Sequence, residues 1–537
     1  MKKPNILLIT TDQQRYDTLH CAGYDHMITP NLDALAKDGC LFTNAYSPNP
    51  VCIPARHNLL TGLTAKFHGF DDNYFDESKS IPFALPTFAE ILQNDRYNTI
   101  AIGKMHFQPY RAHNGFNRLF LMDEIPRFLE DDDYAMYLHR KGYTHLQSIH
   151  GVRHLLYMQP QESLTKEEDH GTAWVANKTI ETLDTISLER PFLIWSGFIA
   201  PHPPLDVPHD YQKLYNNLII PKPKISKTTL SNLAIENKNI ANYPDESYLR
   251  RVKELYFSAI THVDTHVGRI LQKLKDIGEY DNTLIIFTSD HGEMLGDYGT
   301  YQKFLPYDSS SKIPLIARYP KQLVANTVCN DLVSLNDILP TILDVAKLTY
   351  PGQAKLPGKS LFDNTPREEV FMEHCRGNRR WVSIRTREYK FNYYFSLGRE
   401  ELFNMIDDPN ETTNLLEIPN DSVQAIRDVL YKRLVQYEKN YGLPDTIQND
   451  QFKILEEMDI HFYREANPPQ FPHNLRSKNT TLWSLKKELI EAVKNEKVVQ
   501  IEDLDTDYYI QHGIFSQEDI QEIIHELKKE AITLLDD

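Results

Sequence analysis

The residues of this chain with the most chemical potential sit in short polar clusters. Pro50-Val51-Cys52-Ile53-Pro54-Ala55-Arg56 sets a thiol and a guanidinium four residues apart, in a loop whose backbone is fixed by prolines on either side of the thiol. A thiol so placed is a candidate nucleophile; taken alone, Cys52 is as readily a small buried hydrophobe and Arg56 a surface cation. Asp12 and the run Ser289-Asp290-His291-Gly292-Glu293 supply carboxylates and an imidazole of the kind that hold a divalent cation. A lone aspartate such as Asp12 also serves as a helix N-cap, whereas three polar groups at a buried strand end are costly without a purpose. Lys104 and His106 face one way if their segment is extended. They can then neutralise an anionic ester and shuttle a proton, the ordinary alternative being an exposed lysine beside a half-buried histidine. Ala200-Pro201-His202-Pro203-Pro204 places an imidazole in a rigid, non-helical loop.

These clusters share a position relative to the elements that must carry them. Asn5 to Thr11, Asn98 to Ile102, Phe192 to Trp195 and Leu284 to Thr288 are apolar, β-branched runs that suit strands buried on both faces of a parallel sheet. Each hands over to polar residues at its carboxyl end, where open α/β sheets build their binding crevices. Thr165-Lys166-Glu167-Glu168 fits a capping box opening a helix through about Ile186. Apolar residues from Leu249 to Leu274 recur at three and four residues, marking a long amphipathic helix that stops near Gly278. The alternation predicts an α/β, doubly wound domain over residues 1–365, with a mostly parallel central sheet flanked by helices.

A smaller α+β domain with an antiparallel sheet is expected over residues 366–445, from short strands at Val370 to His374, Trp381 to Arg385 and Tyr389 to Phe395 and a helix from about Ser422 to Tyr441. Residues 446–537 read as a helical extension, with a proline-rich connector at Asn467 to Pro472 and helices near Trp483 to Val493 and Gln517 to Leu535. Its expected role is to cover the mouth of the site or to make the contact of a homo-oligomer.

Composition narrows the function classes. The 537 residues carry 25% charged and 41% apolar side chains, ordinary for a soluble globular protein. A net charge of −17 argues against nucleic-acid binding, yet leaves room for an anionic substrate in a locally basic cleft. Cys21, Cys40, Cys52, Cys329 and Cys375 are odd in number and suggest no disulfide framework. The apolar run after Met1-Lys2-Lys3 is too short for a secretory core, and none approaches membrane-spanning length. A cytoplasmic protein that spans no membrane is expected.

Cys52-x-Pro54-x-Arg56 with Thr61-Gly62 resembles the signature of the type I sulfatases, of the alkaline phosphatase-like superfamily, and the matching motifs run in the family's order from Asn5 to about Leu415. The resemblance implies that Cys52 is oxidised to formylglycine by a dedicated formylglycine-generating enzyme, the aldehyde hydrate being the nucleophile. It implies metal ligation by Asp12, the modified Cys52, Asp290 and His291. Many sulfatases carry two aspartates on the first strand where this chain has Asp12-Gln13, so Gln13 would offer a carbonyl oxygen. Ca²⁺ is the implied ion, with Mn²⁺ or Mg²⁺ as alternatives because imidazole suits softer metals.

By the same resemblance Lys104 binds a sulfate oxygen, His106 contacts the formylglycine hydroxyl, and His202 with Lys303 contacts the bridging oxygen, His202 protonating the departing alcohol. Arg56 would share in stabilising the charge. The stretch His68-Gly69-Phe70-Asp71-Asp72-Asn73 is expected to line the pocket, Asp72 and Asn73 binding substrate hydroxyls. The expected activity is hydrolysis of a small carbohydrate, aryl or alkyl sulfate ester. Two alternatives stand beside it: a phosphonate monoester or phosphodiester hydrolase of the same superfamily, and an unmodified, non-catalytic binder of sulfated sugars.

Overall fold

The computed structural model describes residues 2–460 except 74–77, 125, 127, 145, 147, 152–157, 241–245 and 419, and beyond them only Glu518, Gln521, Glu522 and His525. The connector at Asn467 to Pro472 and the helices expected near Trp483 to Val493 and Gln517 to Leu535 lie outside the described residues, save those four positions.

In chain order the strands are β1 (Asn5–Asp12), β2 (Cys40–Tyr46), β3 (Asn98–Gly103), β4 (Arg118–Leu121), β5 (Pro160–Glu162), β6 (Phe192–Pro201), β7 (Leu205–Val207), β8 (Thr283–Ser289), β9 (Lys312–Arg318) and β10 (Thr327–Ser334). Eight of them form one sheet in the order β10-β2-β9-β8-β1-β6-β3-β4, and β5 and β7 pair separately. Only β9 runs against its neighbours β8 and β2, so β8, β1, β6, β3 and β4 all end on the same edge. Every residue of β1 is buried, because the sheet is covered on both faces. Alternation along the strand divides them. Ile6 and Leu8 join a core with Trp195, Phe88, Phe116 and Leu59, while Leu7 and Ile9 join another with Val263, Val267, Ile270 and Leu274 of the helix Glu246–Asp276.

Two local expectations are corrected. The stretch from Cys52 is the first turn of a helix, Cys52–Thr61, and not a loop. Pro54 is tolerated there because an N–H in the first helical turn has no intrahelical acceptor to lose. The expected capping box at Thr165 does not form: Glu167–Asp169 is a 3₁₀ turn and the helix begins at Gly171, with His170 accepting from the Thr172 N–H. The neighbouring Glu167 carboxylate reaches His262 and His266 of the long helix.

A second sheet, β11 (Glu369–His374), β12 (Trp381–Thr386), β13 (Tyr389–Tyr394) and β14 (Arg399–Asn404), is an antiparallel meander. Val382, Ile384, Phe391 and Leu402 pack against Leu430 and Leu434 of the helix Asp421–Tyr441, while Met372, Trp381 and Phe403 pack against Met294, Leu305 and Tyr307, which follow β8 of the first sheet. At this junction the fully buried Lys390 ammonium lies 2.9 Å from Asp308 and 2.8 Å from Glu411. Lys390→Met would leave two buried carboxylates facing each other, so it is expected to lower unfolding free energy by about 3–5 kcal/mol, measured by urea denaturation.

Candidate active site

The shared carboxyl edge brings the sequence's polar clusters together. Asp12 closes β1, Lys104 follows β3, His202 follows β6, and Asp290 and His291 follow β8. Gly103 makes the Lys104 position possible: at φ +90°, a Cβ there would lie 2.0 Å from the Gly197 carbonyl oxygen of neighbouring β6. The helix Cys52–Thr61 points its first turn at the same place, and the i, i+4 spacing puts Cys52 and Arg56 on one face of it.

Asp12 is the hub. Its Oδ2 lies 2.8 Å from Lys104 Nζ and 3.1 Å from an Arg56 guanidinium nitrogen. Arg56 also donates to Asp290 Oδ2 at 3.0 Å and to the Lys104 carbonyl at 2.6 Å. Cys52 Sγ lies 3.1 Å from His291 Nε2 and 3.7 Å from Asp12 Oδ1. Lys104 reaches on to Glu124 at 3.1 Å, Glu124 Oε2 lies 2.9 Å from His202 Nδ1, and His202 Nε2 lies 3.1 Å from Lys303 Nζ. Lys303 donates to Gln13 Oε1 at 2.7 Å, and the Gln13 amide donates to Glu293. His106, which has left the extended conformation at φ 54°, sets its Nε2 3.5 Å from Asp123 Oδ1.

Burial sets the protonation states. Burial works to raise the Asp12 carboxyl, but Lys104, His202 and Arg56 hold it well below the usual carboxylate range, while burial and the Asp12 charge push Asp290 up. Burial and the same aspartate push the Cys52 thiol up to about 12, so as a thiol it stays protonated and is a poor nucleophile. His202 is pushed down to about 4 by burial, with Lys303 and Lys104 acting in the same direction. With the resting His202 neutral, the lysine ammonium donates to Nε2 and the Nδ1 proton faces Glu124 and the Pro203 carbonyl.

The donor set suits a divalent cation. One ligand atom each from Asp12, Cys52, Asp290 and His291 lies within 4.8 Å of the others, all four residues buried. A carboxyl driven upward by a crowded neighbouring carboxylate is one whose charged form a cation would restore. The Gln13 amide stands beside this group, its backbone N–H donating to Asp290 Oδ1 at 3.1 Å.

Asn73 Oδ1 accepts from the Ile53 N–H at 2.9 Å and so braces the first turn of the Cys52 helix; Asp72 lies 3.5 Å from Cys375 Sγ at the end of β11. The sequence reading missed Glu124 and Asp123, and it gave Glu293 no role of its own. Asp123 and Glu124 obey the same rule as the others, since they follow the carboxyl end of β4, but that strand has four residues and its apolar signal is weak. It also missed what holds the Lys303 segment: Trp381 Nε1 of the second sheet donates to the Phe304 carbonyl at 2.7 Å, and Asn237 Nδ2, from the helix Asn232–Ile240, donates to the Lys303 carbonyl at 2.7 Å.

The fold and site together define an α/β enzyme of alkaline phosphatase-like architecture. The family profile described as Sulfatase matches residues 4–348, and one described as N-sulphoglucosamine sulphohydrolase, C-terminal, matches residues 296–440. An arylsulfatase of Clostridium perfringens is 31% identical over 469 residues, 82% of this chain and 96% of its own length. A choline-sulfatase of Rhizobium meliloti is 29% identical, covering 80% and 86%. Among solved structures, the phosphonate monoester hydrolase of Agrobacterium radiobacter superposes with a TM-score of 0.69 at 24% identity, covering 82% of this chain and 96% of that one. A protein in complex with its substrate D-glucosamine-2-N,6-O-disulfate superposes with a TM-score of 0.65 at 22% identity, covering 83% and 99%. This chain belongs to the sulfatase family, and its class is that of the sulfuric ester hydrolases.

Trp381→Phe keeps an aromatic ring in the packing and removes the donor to Phe304. Because a small misplacement of a reacting group is expensive, it is expected to lower kcat roughly 10–100-fold at temperatures where the variant is still folded, alongside the lower melting temperature that trimming a buried indole brings; steady-state kinetics and thermal denaturation separate the two effects.

Proposed function

We propose that this protein hydrolyses a small carbohydrate, aryl or alkyl sulfate ester to alcohol and inorganic sulfate, using formylglycine made from Cys52 by a maturation enzyme. A divalent cation, Ca²⁺ with Mn²⁺ or Mg²⁺ as alternatives, would be held by Asp12, Asp290, His291 and the converted Cys52, with Gln13 beside them. The observation that carries the reading is the convergence of three cations, Arg56, Lys104 and Lys303, around a buried Cys52 at the end of a helix whose first turn points into the site. When present, the cation supplies Lewis acidity and the formylglycine hydrate supplies an oxygen nucleophile that a plain cysteine lacks.

The chain's own residues do the rest. Lys104 binds a non-bridging oxygen, Lys303 lies beside His202 at the bridging oxygen, and both stabilise charge as it develops on the sulfate oxygens, with Arg56 contributing from behind the carboxylates. An anionic ester beside His202, together with Glu124 on its Nδ1, favours the imidazolium, which then protonates the leaving oxygen. His106, oriented by Asp123, serves as the base for release of sulfate. The buried site excludes water, which strengthens each of these interactions.

Asp72 and Asn73 would meet substrate hydroxyls at the rim. The names of relatives, which include arylsulfatase, choline-sulfatase and N-acetylglucosamine-6-O-sulfatase, support sulfate esters as a class and leave the alcohol open. Gln13 in place of a second aspartate favours a secondary activity on phosphonate monoesters. A cytoplasmic site of action is part of the proposal, supported by cysteines that are odd in number and suggest no disulfide framework.

The test is the mass of the Cys52 peptide from protein made in its native host, paired with turnover of an aryl sulfate and a phosphonate monoester. An aldehyde in place of the thiol, and turnover that chelator abolishes and a divalent ion restores, are the expected results. An unmodified thiol in protein that still turns over sulfate would sink the mechanism. Lys104→Ala is expected to lower kcat/KM for the sulfate ester about 10²–10³-fold; unchanged turnover would remove Lys104 from the anion site.

A further inference from the structure

A second convergence of metal-binding side chains lies away from the catalytic carboxylates, where the Glu167–Asp169 turn meets the long helix Glu246–Asp276. His262 and His266 are one helical turn apart and share a face. Their Nε2 atoms lie 3.0 Å from each other, and 3.2 and 2.8 Å respectively from the same Glu167 carboxylate oxygen. Ligands held tetrahedrally at about 2.0–2.1 Å from zinc stand about 3.3 Å apart, so this triangle is only slightly tighter than a loaded site.

Both imidazoles are almost wholly buried, while the Glu167 side chain is 40% exposed, so the cluster has a path to solvent on its carboxylate side. Burial pushes His262 down to about 3 and His266 down to about 4, and hydrogen bonding to His262 lowers Glu167 to about 2; at neutral pH both rings are neutral and the carboxylate is charged. Two imidazoles and one carboxylate suit a borderline metal such as zinc and do not suit calcium.

We propose that Glu167, His262 and His266 form a second metal site, of the zinc class, with three protein ligands and a fourth position open to water. The site ties the segment ahead of the helix Gly171–Thr185 to the long helix. It also backs the wall of the catalytic crevice. The His262 ring packs 5.0 Å from that of His170 and 4.5 Å from that of Tyr211, and His262, His170, Asp206 and His202 line one cavity of about 30 Å³.

Arg269 marks the metal-free arrangement. It donates to His266 Nδ1 at 2.9 Å, which leaves that ring's single proton on Nε2, facing Glu167. A metal on Nε2 requires the proton on Nδ1, so Arg269 must swing away, and the guanidinium and the metal compete for the same histidine.

The test uses the full-length chain, stripped with chelator and titrated with Zn²⁺ against a chromophoric competitor, with bound metal counted by elemental analysis. His266→Gln is expected to bind one equivalent fewer than wild type, and zinc is expected to raise the melting temperature of wild type more than that of the variant. The catalytic carboxylates are present in both proteins, so the difference isolates this site. Equal stoichiometry would overturn the proposal. If His266→Gln does not fold, Glu167→Gln replaces it and Co²⁺ is the probe: tetrahedral d–d absorption in wild type that the variant loses supports the site, and an identical spectrum overturns it. Arg269→Ala is expected to tighten zinc binding; unchanged or weaker binding overturns the competition at His266.

Discussion

The structure depends on one ion pair network that cannot be solvated. Asp12 is fully buried at the end of a fully buried strand, and its charge is matched by Lys104 and Arg56 at 2.8 and 3.1 Å. Each of those cations reaches a second carboxylate, Glu124 or Asp290, and the chain of contacts continues through His202, Lys303 and Gln13 to Glu293. A charge taken out of water is tolerable only when its partners are fixed at contact distance, and removing one leaves the next unpaired. The network therefore holds the ends of β1, β3, β4, β6 and β8 and the first turn of the Cys52 helix in one arrangement. That fixity is also what stabilises a developing charge without reorganisation.

The second sheet takes part in this arrangement. Gln302 and Phe304, on either side of Lys303, both have positive φ, a conformation that side chains other than glycine rarely adopt. Glu293 accepts from the Gln302 N–H, Trp381 donates to the Phe304 carbonyl, and the Phe304 N–H reaches the Pro50 carbonyl. Local strain in the lysine's segment is offset by contacts from three parts of the chain. Lys303 is thus set by tertiary packing, and the second sheet serves the site without giving it a reacting group.

Different physical causes made parts of the molecule readable in advance. The strands at β1, β3, β6 and β8 announced themselves because a strand buried on both faces is uniformly apolar, and the polar residues after each mark the edge where the sheet opens. The short β4, the antiparallel β9 and the edge strand β10 gave weak signals, being brief, partly exposed or irregular in register. The helical start at Cys52 was missed because flanking prolines read as a loop, although the first helical turn accepts them.

What the sequence by itself determined is the chemical inventory and its order: Asp12, Cys52 with Arg56, Lys104 with His106, His202, then Asp290 with His291, each tied to a local pattern of apolar run and polar stop. Local pattern fixes which end of a strand is polar, because burial and periodicity act over a few residues. Only the tertiary structure decided who faces whom. The Lys104 pairing with Glu124, the Lys303 hold on His202 and Gln13, the Trp381 reach to Phe304 and the meeting of Glu167 with His262 and His266 all join residues far apart in the chain, and their distances are set by how the sheet and helices pack.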